Sequence, residues 1–327
     1  NLVGVGVLLG AITVAGFWAS RGWESPGLSG HEFRQAQTAL TIQSMQEGGF
    51  RMDYATPVLG KPWSIPMEFP LYQLLVVKWI DLTGQDIAQG ARTVSVICFL
   101  VGLVAFYRLL RMAKFSVGGS CLALVMVVFS PVYLFFSRTV MIESMAWASS
   151  AWFLWGLLKF RECGAGKYLT VVWFSGVIAV LVKPTTWAAF CLPWAILFLR
   201  DLLWGRRRDG EFLKRLAIEV LGIGVPLLIL GFAWVAYADS VKAQNPIAHF
   251  LLSSELRGFN FGSLSMRFDG PNWLALGEHW DNAVMPWPVL MIGLAIALWQ
   301  AASRWVLAMG FGAFLGIQLV FFNLYLL

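Results

Sequence analysis

Apolar runs of membrane length recur along the chain, separated by short polar breaks. Leu2–Ala19 is the first. Ile87–Leu110, Val117–Phe136, Ser144–Phe160, Tyr168–Val182, Trp187–Leu203, Leu216–Ala238, Pro286–Trp299 and Trp305–Leu327 follow. A helix needs about 20 apolar residues to cross a bilayer core. Several of these runs lack the polar stripe of a soluble surface helix. The pattern predicts an all-α polytopic membrane protein, a single transmembrane domain over residues 1–327 with roughly nine crossings.

Two longer polar segments interrupt the pattern, at 20–69 and 239–285. Inside the first, Gly30–Leu40 reads as a helix at about 100° per residue. Phe33, Ala36 and Leu40 share one face. His31, Arg34, Gln35 and Thr38 share the opposite face, with Glu32 on the boundary. Such a helix is expected to lie flat on the membrane, apolar face down, presenting its polar face to whatever sits above. Thr56–Pro66 is too rich in Pro and Gly for a long helix. Pro70–Asp81 predicts a short apolar helix that cannot span and rests at the interface. The first long loop therefore carries interfacial helices.

Composition supports this reading. Hydrophobic residues make up 58% of the chain and charged residues only 13%, against roughly 25% charged in soluble domains. The net charge of +6 does not point to nucleic acid, because it gathers in three short loops. Arg108, Arg111 and Lys114 share one; Lys159, Arg161 and Lys167 a second; Arg200, Arg206, Arg207, Arg208, Lys214 and Arg215 a third. Short basic loops stay cytoplasmic. That places 20–69, 137–143, 183–186 and 239–285 on the extracytoplasmic side of a cell membrane, and makes the lipid bilayer the first partner. The four Cys show no paired spacing, and His31, His249 and His279 no His-x-x-x-His, so no zinc-type metal site is expected. The chain stops inside an apolar run at Leu327, which leads us to expect a C-terminal continuation.

The outer loops hold the candidate chemistry. Glu32 is expected to be partly buried among Gly30, His31, Arg34 and Gln35; burial raises a carboxyl pKa and suits it to general-base work. Glu143 stands at the outer mouth of a helix, where a carboxylate also serves simply to stabilise the N-terminus. The two carboxylates could share a divalent cation, Mg or Mn, or divide the roles of base and orienter. Arg138, Lys183 and Arg34 sit where a lipid phosphate would lie, and Arg grips phosphate bidentately. Snorkelling is the plainer explanation for such cations.

These residues resemble the integral-membrane C-type glycosyltransferases, in the branch of the protein O-mannosyltransferases and the lipid A aminoarabinose transferase. His31-Glu32 stands just after the first membrane helix, where the family usually shows Asp-Glu. Glu68-Phe69-Pro70-Leu71-Tyr72-Gln73-Leu74-Leu75 looks like the family's Pro-Pro-Leu-Tyr segment. Ser130-Pro131, Arg138 and Glu143 occupy the second outer loop. The resemblance implies transfer of a sugar from a polyprenyl-phosphate carrier to an unspecified acceptor on the outer face. It implies Glu32 and Glu143 as the catalytic carboxylates. His31, Arg34, Gln35, Arg138 and Lys183 are then substrate-binding, with no fixed metal and a divalent cation optional. Two other readings stay open: a flippase for a lipid-linked sugar, which requires ionisable groups at mid-membrane depth, and a non-catalytic scaffold subunit.

Overall fold

The computed structural model describes residues 2–20, 23, 30–204 and 210–300, together with Gly310, Gly312 and Gly316. Apart from those three glycines, the expected crossing Trp305–Leu327 lies outside the described residues, as does the triple Arg206–Arg208. The described chain is helical; its one β-feature is an isolated bridge between Ala55 and Ser64.

In order, the helices are α1 (Leu2–Ser20), α2 (Glu32–Gly48), α3 (Leu71–Thr83), α4 (Ile87–Met112), α5 (Val117–Phe129), α6 (Pro131–Phe136), α7 (Glu143–Cys163), α8 (Lys167–Val182), α9 (Pro184–Trp204) and α10 (Gly210–Ala217). A π-helical stretch, Ile218–Gly224, leads into α11 (Val225–Lys242). The second long segment then winds through α12 (Arg257–Phe261) and α13 (Gly270–His279) to α14 (Trp287–Gln300).

The boundaries follow from local chemistry. Asp86 caps α4 by accepting from the Gln89 N–H at 2.8 Å, and Ser116 caps α5 from the Gly119 N–H at 3.0 Å. Both satisfy amides that a helix start leaves orphaned. Pro131 cannot donate to the preceding turn. The run expected as one helix, Val117–Phe136, therefore breaks at Ser130, and α6 starts afresh with Pro131 in its first turn.

Among the described residues, three helices are long and apolar enough to cross a membrane: Ile87–Met112, Pro184–Leu203 and Phe212–Lys242. Leu2–Phe17, Val117–Phe129 and Lys167–Val182 are apolar but shorter. These six coincide with runs read as crossings from hydropathy.

Helix α7 is the hub, packed against α4, α8 and α9. Gly102 makes the α4–α7 approach feasible: a Cβ there would sit 2.2 Å from the Trp147 ring, so only hydrogen fits. One apolar cluster joins Ile42 of α2, Tyr72 and Val76 of α3, Ala91 of α4, Met145 of α7 and Val182 of α8. Five helices thus meet at the end of the bundle that carries the outer loops.

Helix α2 departs from expectation. Its polar side is not open. Gln35, Gln37, Thr38 and Thr41 are buried beside Ile42 and Met45, while Phe33 is 56% exposed. The buried polar groups are satisfied internally. Thr41 Oγ1 donates to the Gln37 carbonyl at 3.0 Å and meets Thr56 Oγ1 at 2.9 Å. A polar helix face can face protein when each group finds a partner.

Candidate active site

The loop from Tyr54 to Pro70 is held from several sides. Tyr54, buried, donates its hydroxyl to the Glu68 carbonyl at 2.9 Å and accepts from the Met67 N–H at 2.8 Å. The Phe69 N–H donates to the Leu181 carbonyl at 3.1 Å, and the Trp234 indole to the Met67 carbonyl at 3.2 Å. The Asn245 amide donates to the carbonyls of Gly60 and Pro62 at 3.0 and 2.9 Å. The loop is therefore a fixed element despite its irregular backbone.

This scaffold carries Glu68, whose side chain is 8% exposed. One carboxylate oxygen faces Arg34 Nη2 at 3.4 Å; the other accepts from Gln73 Nε2 at 3.0 Å. Arg34 Nη1 donates to Gln37 Oε1 at 2.8 Å. Glu68 had no assigned role in the sequence reading. Its signal was a carboxylate between Pro66 and Pro70 in an otherwise apolar stretch.

Glu143, the first residue of α7, pairs with Lys183 Nζ at 3.1 Å. Burial pushes the Glu143 carboxyl upward, but Lys183 and Arg34 outweigh it and hold it below its ordinary value. Its second oxygen is buried without a hydrogen-bond partner among the described residues. Glu143 lies in the field of Arg34, so Arg34, Glu68, Glu143 and Lys183 form one charged group.

Glu32 sits apart from that group and open to solvent. Its carboxylate accepts from the Gly30 N–H at 2.9 Å. The backbone N–H groups of Glu32 and Gly30 hold it below the usual carboxylate value. The expected partial burial and raised pKa are therefore not found: the residue begins α2 and turns back on its own backbone rather than into the protein.

Gly30 and His31 both adopt left-handed backbone, φ 75° and 52°. At Gly30 a Cβ would come within 2.8 Å of the Phe135 ring. His31 is a non-glycine residue in this region, which costs energy and persists only where the surroundings enforce it. Its ring packs against Phe135 and Phe136, at 5.8 and 5.7 Å between centroids.

Gln35, 2% exposed, donates to the Gly30 carbonyl at 2.6 Å and accepts from the Val140 N–H at 3.1 Å. It ties the first outer segment to the second; both ends of its amide are used inside the protein. Arg138 is half-buried in that second segment, and its charged neighbour is Arg92 of α4.

Among the described residues, no three His, Cys, Asp or Glu gather as a metal group. Glu68 and Glu143 each face a cation, so neither presents a free carboxylate pair to a divalent ion, and the cluster does not fit one.

An apolar cavity of about 560 Å³ opens between α3, α4, α7 and α8. Leu71, Leu75, Ile97, Val101, Met145 and Trp152 line it. Of its lining residues, Leu71 lies three positions beyond Glu68 in the chain and Met145 two beyond Glu143.

No protein-family model matches the chain, and no curated protein matches it by sequence. By structure it is similar to ArnT from Cupriavidus metallidurans, whose crystal structure is bound to undecaprenyl phosphate. The TM-score is 0.61 at 17% identity; the match covers 99% of this chain and 55% of ArnT. This chain thus spans about half the length of that protein. ArnT is a lipid A aminoarabinose transferase of the C-type glycosyltransferases, the group that the outer-loop motifs resemble. The chain is a helical membrane protein that shares its fold with about half of ArnT.

Proposed function

We propose that the chain is the membrane domain of a glycosyltransferase that moves a sugar from a polyprenyl-phosphate carrier to an acceptor hydroxyl on the extracytoplasmic face. One observation supports the reading: an apolar cavity between helices is lined by Leu71 and Met145, close in sequence to Glu68 and Glu143 of the paired cations and carboxylates. A donor with a charged phosphate and a hydrocarbon tail needs that juxtaposition. The undecaprenyl phosphate bound to ArnT supports a polyprenyl phosphate as the lipid.

In this reading Lys183 and Arg138 hold the phosphate. Lys183 is partly exposed and has N–H groups beyond the one given to Glu143. Glu143 fixes Lys183, and Glu68 fixes Arg34, whose charge adds to the field. His31 and Gln35 hold the loop that carries Glu32. Glu32 is the carboxylate open to an incoming acceptor and is ionised at neutral pH. It takes the proton of the acceptor hydroxyl as the oxygen attacks the anomeric carbon. The bond from that carbon to the phosphate oxygen breaks, and the lipid phosphate leaves with its charge held by the cations.

The test uses the full chain in liposomes. It measures undecaprenyl phosphate binding, and release of the lipid phosphate from a panel of polyprenyl-phosphate sugars. Glu32→Gln should lower turnover by about 10²–10⁴ with lipid binding intact; full activity would remove Glu32 as the base. Lys183→Ala should weaken lipid binding. A wild-type chain that binds no polyprenyl phosphate would overturn the whole reading.

A further inference from the structure

The opposite end of the bundle holds a second built site. Helix α7 runs from Glu143 to Arg161, about 27 Å at 1.5 Å per residue, roughly a bilayer core thickness. There a cavity of about 370 Å³ lies between the ends of α4, α7, α9 and α10 and the π-helical stretch. Its polar wall is Arg161, Glu162, Arg200, Asp201, Arg215 and Glu219; its apolar wall includes Leu109 and Leu197.

Glu219 is the unusual member. Its side chain is 1% exposed, inside the long apolar helix Phe212–Lys242. One oxygen is held by Arg161 and by the Trp194 indole, the latter at 2.9 Å. The other is buried with no hydrogen-bond partner among the described residues. A buried carboxylate oxygen without a donor is rare and costly. The backbone around it is π-helical, an irregularity frequent at functional sites. On the same wall, Arg215 donates to the Arg161 carbonyl at 2.8 Å and has no carboxylate within ion-pair distance among the described residues. Among the described residues the cavity thus offers a carboxylate oxygen without a donor and, on the same wall, a guanidinium outside ion-pair distance of any carboxylate, beside hydrocarbon.

We propose that this cavity binds an amine-bearing phosphate ester, the chemistry of a phosphatidylethanolamine headgroup. The ammonium donates to the buried Glu219 oxygen that has no donor among the described residues. The phosphate lies on Arg215, and the acyl chains follow Leu109 and Leu197 into the bilayer. The three arginines and Glu162, Asp201 and Glu219 balance in charge, which suits a zwitterion better than a purely anionic lipid. The site is independent of the proposed transferase chemistry.

The experiment is lipid retention by the full chain, read by native mass spectrometry after reconstitution in equal mixtures of phosphatidylethanolamine, phosphatidylcholine and phosphatidylglycerol. Phosphatidylcholine carries the same charges but no N–H donor. Phosphatidylethanolamine should be retained about tenfold over it, the equivalent of one hydrogen bond to a charged group. Arg215→Ala, at an exposed position, should lose that retention with the fold intact. Glu219→Gln should lose the preference between the two zwitterions. Soluble phosphoethanolamine is added in a separate arm: competition at millimolar concentration identifies the headgroup alone as sufficient, and no competition identifies the lipid as the source. Equal retention of all three lipids, or preference for phosphatidylglycerol, would overturn the proposal. So would an Arg215→Ala chain that keeps wild-type selectivity.

Discussion

The Arg34–Glu68 pair joins α2 to the irregular loop before α3, and its strength can be worked out. At the observed 3.4 Å, two unit charges attract by about 5 kcal/mol at an effective dielectric of 20 and about 1 kcal/mol in bulk water. Glu68 is 8% exposed but Arg34 is 33% exposed, so water screens the guanidinium end. The coupling therefore falls near 2 kcal/mol, in the lower half of that bracket. The assay is a double-mutant cycle of Glu68→Gln, Arg34→Gln and the double variant, followed by thermal unfolding in detergent. With about 2.1 cal/mol/K of unfolding entropy per residue over 327 residues, 2 kcal/mol corresponds to about 3 °C in Tm. Each single variant should lose at least that, and the double should lose less than the sum by a similar amount. Single effects that add within about 0.5 kcal/mol would refute the pair as a tether.

Gly30→Ala places a side chain at φ 75° and drives Cβ toward the Phe135 ring; it should cost about 2 kcal/mol, seen as a Tm loss near 3 °C. Glu143 is held below its ordinary carboxyl value. Its contribution is therefore fully present above the unfolded pKa near 4.5 and lost as pH falls through the lower folded value. Tm measured across pH 3–7 should drop on the acid side, and Glu143→Gln should shrink that drop; an identical acid limb in the variant would refute it. Ala148→Trp fills the cavity between α3, α4, α7 and α8. It should weaken binding of full-length undecaprenyl phosphate about tenfold or more, while a short-chain analogue binds as before.

Much of the helical order was legible because apolar runs of this length allow few alternatives. Ile87–Leu110, Ser144–Phe160 and Tyr168–Val182 each lie within an observed helix. The break at Ser130 was less visible, since Pro at a helix start and Pro inside a helix read alike in a hydropathy trace. The polar face of α2 misled for a physical reason. Periodicity reports which residues share a face, not what that face meets; Gln35 and Thr41 are buried because Val140 and Thr56, distant in sequence, supply partners. The pairing of Lys183 with Glu143 joins residues 40 apart, and nothing in either local pattern specifies it. Glu68 went unassigned because a lone carboxylate in a Pro-rich loop gives no sign of the Arg34 that neutralises it.

The anchoring of the Tyr54–Pro70 loop bears on how the protein is made. Its partners lie far downstream: Leu181 for Phe69, Trp234 for Met67, and Asn245 for Gly60, the last separated by 185 residues. A ribosome adding about 5–20 residues per second needs roughly 10–40 s to deliver Asn245 after Gly60. During that interval the segment bearing Glu68 exists without the groups that fix it. Contacts of such separation close late. The segment 54–70 is thus synthesised early and organised last, so the setting of Glu68 is complete only when α11 and the turn after it have arrived.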